Sequence, residues 1–299
     1  MSGHLGNVIN YVLSEHAKLS GNFNLTSARI FADELMAFND AGPTAKTHTA
    51  TGVIIIPDNL NVLVTADAGV VHYNGMEIKN AKGEMKLDQG TLSLNDMAFS
   101  LVDAPVRMSA HYKSTSPKSA IFDYHILAQE FDITKAYRDI KMFRTLASSA
   151  AKVKGVVGLD YQLSGKLNQD MAPVYPSLKG QGTLSVKKVS LMGFKLMNAV
   201  SKATKRDSLT NPDLSEVVIK SNIKNNIIYI DRFKMRIAGF RPRFEGQVSF
   251  DGRLNMSGRL GLPPFGILGI PLSITGTQDN PKVALKRNKE GKLEESPEN

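Results

Sequence analysis

Apolar and polar residues alternate with a period of two along most of this chain. Leu60, Val62 and Val64 fall on one side of an extended segment, and the residues between them fall on the other. The alternation returns in runs at 76–78, 85–87, 92–94, 97–101, 122–126, 157–163, 184–191, 217–237 and 248–256. Such alternation is typical of half-buried β-strands. The chain is therefore predicted to be mainly β.

Turn residues separate these runs. Turns are predicted at Asn74-Gly75, Lys82-Gly83, Gln89-Gly90, Asn225-Asn226 and Asp251-Gly252. Gly and Asn adopt the positive φ that tight hairpins need. Turn signals about every 8–12 residues are typical of an antiparallel meander. We expect long antiparallel strands that form an elongated, curved sheet, with a concave apolar face that makes a groove.

Two segments break the β pattern. Apolar residues at helical spacing predict a helix near 133–154, with Asp132 as its N-cap and Gly155 at its end. A second amphipathic pattern predicts a helix near 194–206. We expect both short helices to pack over the groove or its end.

The same patterns divide the chain into three parts. Residues 1–40 are interpreted as the trailing part of an upstream β or helical segment, and 41–281 as one β-groove domain. Residues 282–299 lose periodicity and alternate in charge, so we expect a disordered tail. The start of the chain has no signal-peptide or anchor pattern, and the apolar run at 262–272 is too short to span a bilayer. If the protein works in a cell envelope, we expect this chain to be a fragment of a longer protein.

Composition narrows the possible partners. The chain has 299 residues, a net charge of +9, and neither Cys nor Trp. Without Cys there is no disulfide, thiolate metal site or cysteine nucleophile. A positive charge suits nucleic acid, an anionic membrane surface or an acidic partner. Because aromatic residues are only 7% of the chain, base stacking is disfavoured, and we expect no nucleic-acid partner.

No pattern in the chain indicates catalysis. The six histidines show no metal-ligand spacing, and the carboxylates are scattered singly. Gly180-Gln-Gly182 begins like a dinucleotide fingerprint, but it lacks the third Gly and opens a strand-like run. We therefore expect a protein that is not an enzyme, with no catalytic residue, metal or cofactor.

Basic residues cluster on both predicted helices. The candidates for contact with anionic lipid headgroups are Lys135, Arg138, Lys141, Arg144, Lys202 and Lys205. Each basic residue near an anionic membrane surface contributes about 1 kcal/mol. The other interpretation is an ordinary solvated face.

The apolar alternation also has two interpretations, because these side chains either fill a closed core or line an open groove. The candidate groove residues are Leu60, Val62, Val64, Phe122, Tyr124, Ile126, Val157, Leu159, Tyr161, Leu163, Ile228 and Ile230. A groove of this kind would hold acyl chains, since burying each CH₂ is worth roughly 0.8 kcal/mol.

A series of short motifs resembles one family. It includes Asn59–Ala68, Met76–Gly83, Gly90–Leu94, Phe131–Tyr137, Leu163–Leu167, Met171–Pro173, Leu178–Leu184 and Ile274–Lys282. In this order, over about residues 19–285, they resemble the C-terminal region of AsmA-like proteins, and in particular those of the Bacteroidota branch. The motifs are individually simple, and their order carries the resemblance.

The resemblance implies a fold, a place and a role. AsmA-like proteins belong with TamB-like and YhdP-like proteins of the Gram-negative envelope, and they extend into the periplasm from an inner-membrane helix. They are elongated β structures with an apolar groove, similar in shape to chorein-type lipid carriers. Their role is outer-membrane biogenesis, with phospholipid transport between the membranes as the favoured mechanism.

For this chain, we accordingly expect a location on the periplasmic side of the envelope. The expected partners are phospholipid or another lipid, membrane surfaces and other envelope proteins. The alternative is a non-catalytic scaffold of the envelope with a closed β core and no lipid transport.

Overall fold

The computed structural model describes residues 2–8, 17–37, 52–73, 75–140, 143–144, 151, 153–191, 195–210 and 213–285. The strands are β1 (Ser2–Gly6), β2 (Leu19–Phe31), β3 (Leu60–Tyr73), β4 (Met76–Asp88), β5 (Thr91–Leu101), β6 (Ala104–Ser116), β7 (Ser119–Asp132), β8 (Val153–Leu167), β9 (Lys179–Leu191), β10 (Asp213–Lys224), β11 (Ile227–Lys234), β12 (Arg241–Ser249), β13 (Leu254–Gly261), β14 (Gly269–Gly276) and β15 (Pro281–Ala284). The helices are α1 (Ala32–Ala37), α2 (Ile133–Asp139) and α3 (Lys195–Thr204), with 3₁₀ turns at Tyr175–Ser177 and Asp207–Leu209. The prediction of a mainly β protein is confirmed.

The strands form one sheet in chain order, from β1 to β15. Antiparallel hairpins predominate, as between β3 and β4 and between β12 and β13. The predicted antiparallel sheet is confirmed, while β2 and β3 run parallel, with Leu19 opposite Leu60. Parallel neighbours need a crossover of a dozen or more residues, and the long 32–59 connection provides one.

The first predicted helix is confirmed at its start but is wrong at its end. The Asp132 carboxylate accepts a hydrogen bond from the Lys135 amide at 2.9 Å, as an N-cap does. The helix ends at Asp139, because Ile140 is already extended. Val153 and Lys154 belong to β8, and most of 141–150 lies outside the described residues.

Gly155 does not end a helix. It lies within β8 with φ 139°, a conformation that favours glycine. A Cβ on Gly155 would come within 2.1 Å of the Lys188 carbonyl oxygen on β9. This position therefore requires glycine because another strand passes close to it.

The second predicted helix is confirmed as α3. Its buried side includes Met197 and Val200, and it packs against β15 and the 207–209 turn. The prediction of a disordered, charged tail is wrong for residues 282–284, because these residues form most of β15. Residues 286–299 lie outside the described residues.

Most of the predicted turns are found. Gln89-Gly90, Asn225-Asn226 and Gly252 occupy turns with positive φ. The turn at Lys82-Gly83 was wrong, because both residues lie inside β4, where the register with β5 shifts at a bulge. Asn74 lies outside the described residues.

The chain divides into two compact units with different interiors. Unit 1 comprises Met1–Ala128 and Gln162–Val174, and unit 2 comprises Gln129–Tyr161 and Tyr175–Asn299. The largest side chains with almost no exposure all belong to unit 2, and they include Leu178, Leu209, Leu260, Leu272 and Ile274. Among the described residues of unit 1, the buried apolar side chains are Val53, Val64, Ala68, Ala81, Ala104, Val106, Ala120 and Ala128. Unit 2 therefore has a filled core of large side chains, and unit 1 buries mainly small ones.

Candidate functional site

Large apolar side chains line one face of the sheet in unit 1, in rows that run across neighbouring strands. The first row is Val62, Leu87, Leu92, Tyr112 and Phe122, one residue from each of β3 to β7. The second row is Phe23, Val64, Met85, Leu94, Ala110 and Tyr124. A third row across β5–β7 is Met97, Met108 and Ile126. Directly opposed residues share a face, so these rows form one continuous surface, the apolar face.

The side chains of the apolar face are only partly covered. Except for Val64, every large residue in its three rows is half-buried. Among the residues of unit 1 whose exposure the structure describes, no Leu, Ile, Met, Phe or Tyr is buried. A sheet face of this composition ordinarily packs against a second layer. The described residues of unit 1 leave part of that apolar area in contact with solvent.

Burial raises the pKa of the Tyr112 phenol. The hydrogen bond from this phenol to the Ile54 carbonyl lowers the pKa, and the electrostatic effect of Tyr73 raises it.

Bulges interrupt the pairing of the middle strands of unit 1. The β5 register shifts between Leu94 and Met97, where Asp96 has φ 46°. The β4 register shifts on both sides of Lys82, next to Asn80 at φ 54° and Gly83 at φ 150°. Bulges bend a strand and increase its twist. These strands are thus built to curve.

Two connecting segments lie beside the first row. The Tyr112 hydroxyl donates to the Ile54 carbonyl at 2.8 Å and lies 3.8 Å from the Met171 sulfur. The Val53 amide donates to the Pro117 carbonyl at 3.1 Å, which ties the same segment to the β6–β7 turn. The Tyr112 ring is therefore held in place at the edge of the apolar face.

The opposite face of these strands is polar and charged. Lys82 lies 3.0 Å from Asp67, and Nδ1 of His111 lies 2.9 Å from the Asp123 carboxylate. These groups are largely exposed, so each pair contributes little to stability. The two faces of this part of the sheet therefore differ in polarity.

Six of the predicted groove residues lie in unit 1 on β3 and β7. Val62 and Phe122 share the first row, Val64 and Tyr124 share the second, and Ile126 lies in the third. Leu60 follows the same alternation on β3 and is half-buried. Leu163 belongs to unit 1 through β8 and is also half-buried. The structure thus brings the β3 and β7 candidates together on one surface.

The other predicted groove residues lie in unit 2. Val157 is buried, while Leu159, Tyr161, Ile228 and Ile230 are half-buried. Burial raises the pKa of the Tyr161 phenol, whose hydroxyl lies 3.2 Å from the Ser221 hydroxyl.

The packing of these residues resembles a core more than an open face. The Tyr161 ring lies over Gly182, where a Cβ would be 2.2 Å from it. Ile228 lies opposite the buried residues Ile223 and Val248.

The predicted headgroup contacts are distributed unevenly. Arg138 makes two 2.6 Å hydrogen bonds to Asp139, and that contact lowers the pKa of the Asp139 carboxyl. Arg144 donates to backbone carbonyls of α2, and Lys135 is half-buried with a polar partner. Lys202 and Lys205 are exposed at the end of α3, and Lys141 lies outside the described residues. Arg138 and Arg144 are exposed as well, so these two arginines remain accessible together with the two lysines.

Sequence reasoning missed the middle of the first row of the apolar face. Leu87, Leu92 and Tyr112 complete the first row, yet they were not among the candidates. The Gln89-Gly90 turn was the available signal, because a tight turn there places Leu87 opposite Leu92.

Within the described ranges, no group of His, Asp or Glu is arranged to hold a metal ion. Nor does any helix in those ranges have the length and apolar character needed to cross a membrane. No family model, curated protein or solved structure matches this chain.

Proposed function

We propose that this protein holds phospholipid acyl chains along the apolar face of unit 1 and carries lipid between the inner and outer membranes. The observation that supports this most is that no Leu, Ile, Met, Phe or Tyr is buried among the residues of unit 1 whose exposure the structure describes. The resemblance to AsmA-like envelope proteins supplies the periplasmic location and the role in outer-membrane biogenesis. The proposed role is non-catalytic.

The dimensions of the face suit an acyl chain. Its first row crosses five strands, so its ends are about 19 Å apart at roughly 4.8 Å per strand spacing. One leaflet contributes about 15 Å to the hydrocarbon core of a bilayer. An acyl chain lying along the row would meet apolar side chains over its full length, while its headgroup stays in water.

The energy of binding would come from covering apolar surface. Each CH₂ removed from water contributes about 0.8 kcal/mol. For a long acyl chain, the sum of these contributions exceeds the entropic cost of immobilising the chain. The rows contain Leu, Met and aromatic side chains, and Met adapts to irregular partners. Such a surface favours acyl chains as a class over one particular lipid.

A structural scaffold of the envelope is the second candidate. The filled core of unit 2, with Leu260, Leu272 and Ile274 at 0% exposure, favours this role for that unit. The proposal for unit 1 and a scaffolding role for unit 2 are compatible.

The test is uptake of a fluorescent phospholipid by purified, delipidated protein. We expect saturable binding that free fatty acid displaces and that glycerol phosphate does not, because the acyl chain makes the contacts. Absence of binding, or displacement by glycerol phosphate alone, would contradict the proposal.

A further inference from the structure

The most exposed large apolar side chains of the described residues lie together in one loop of unit 2. Phe265, Ile267 and Leu268 are 69%, 78% and 74% exposed, on the loop between β13 and β14. We call residues 262–268 the apolar loop. Concentrated exposed apolar side chains mark interaction sites in soluble proteins.

The backbone of the apolar loop satisfies much of its own hydrogen bonding. The Leu262 amide donates to the Leu268 carbonyl, and the Gly266 amide donates to the Leu262 carbonyl, both at 2.8 Å. Arg259 donates to the Gly266 carbonyl at 3.1 Å and also to the Ile267 carbonyl. Unsatisfied backbone groups are costly in hydrocarbon, so these bonds lower the cost of placing the loop tip there.

Cations surround the base of this loop. Lys234, Arg243 and Arg259 lie opposite one another on β11, β12 and β13, and we call them the cation ladder. Like charges in directly opposed positions repel, and an anionic partner would relieve that repulsion. Arg241 packs against Gly266, where a Cβ would lie 3.0 Å from its side chain. Residues 252–276 contain two Arg and no Asp or Glu.

We propose that the apolar loop inserts into the surface of an anionic phospholipid bilayer, with the cation ladder beside the headgroup phosphates. An apolar tip above a basic base is the arrangement of interfacial membrane binding. A bilayer offers both the anionic layer and the apolar layer beneath it, whereas a protein partner must supply an apolar pocket with an acidic rim. The inference does not rest on lipid binding by the apolar face of unit 1.

The absence of Trp from the chain makes the test direct. A Phe265→Trp variant carries a single indole at the loop tip, and a Val218→Trp variant carries one at an exposed site on β10. With phosphatidylcholine vesicles containing phosphatidylglycerol, we expect the Phe265→Trp emission to shift to the blue and to be quenched by lipids brominated in their acyl chains. The Val218→Trp emission should change little.

Binding of variants without an introduced Trp to the same vesicles gives a second readout. Replacing Ile267 and Leu268 by Ser should weaken vesicle binding by about tenfold or more, while Val218→Ser should not. Replacing Lys234 and Arg243 by Gln should weaken binding to anionic vesicles and reduce its salt dependence.

Two results would overturn the inference. One is an unshifted Phe265→Trp emission on anionic vesicles, whether or not the protein binds them. The other is a blue shift that depends on protein concentration without lipid, since it would assign the loop to contact between copies of this chain.

Discussion

Replacing Leu272 by Ala is expected to lower the free energy of unfolding of unit 2 by about 2–5 kcal/mol. Leu272 has 0% exposure and lies opposite Gly258 on β13. Its removal leaves a cavity that a glycine neighbour cannot fill. Urea denaturation followed by circular dichroism measures the change, provided that the m-value is retained.

The matched substitution in unit 1 is Leu92→Ala. Leu92 is half-buried at the centre of the first row of the apolar face, so its truncation should cost about 1 kcal/mol or less. Each value is read from the transition of the unit that contains the residue. Equal, large losses at both positions would mean that the apolar face is a packed core, and would contradict the proposed lipid site.

Leu92→Asp is expected to remove most phospholipid binding while the protein stays folded. Leu92 lies between Leu87 and Tyr112, so a carboxylate there would be desolvated by any acyl chain that crosses the row. Because the position is partly exposed, the carboxylate remains hydrated when no lipid is bound. Fluorescent phospholipid binding and far-ultraviolet circular dichroism measure the two effects.

Ser93→Asp is the matched control. Ser93 adjoins Leu92 but points to the opposite face, between Lys86 and His111 in the register. A carboxylate there joins a polar surface and should leave binding unchanged. If folded Leu92→Asp protein binds lipid as well as the Ser93→Asp control, the apolar face is not the site. Should Leu92→Asp unfold, Leu92→Gln provides the milder test at the same position.

Local pattern was sufficient to predict the β class and the face on which several residues lie. Val62 and Phe122 are 60 positions apart, yet both reach the first row because tight hairpins preserve alternation from strand to strand. The turn at Gln89-Gly90 supplied part of that register, because it places Leu87 on β4 opposite Leu92 on β5.

The wrong predictions of a turn and of a helix end arose from sequence patterns that are compatible with more than one structure. Gly83 has positive φ within a bulged strand, and the same residue type would serve a hairpin equally well. Gly155 is required by the close approach of Lys188 on another strand, which no local pattern reveals. The helix from Ile133 is interrupted at the extended residue Ile140, although Phe143 and Arg144 are helical again.

The arrangement of segments that are distant in the chain could not be predicted from local sequence patterns. The parallel pairing of β2 with β3 depends on the path of the long connection between them, which the alternation within each strand does not encode. The contrast between the buried large side chains of unit 2 and the half-buried apolar face of unit 1 has the same cause, since alternating strands occur in both. The apolar loop was predicted only to be too short to span a bilayer, although Phe265, Ile267 and Leu268 beside prolines were a readable surface signal.

The most direct measurement of the central claim is the lipid content of the purified chain. Protein prepared without detergent is extracted with organic solvent, and the extract is quantified by mass spectrometry. The proposed function predicts phospholipid in stoichiometric amount with the protein, and loss of that lipid from the Leu92→Asp variant. A folded, lipid-free protein that also takes up no added phospholipid would contradict the claim and favour the scaffold.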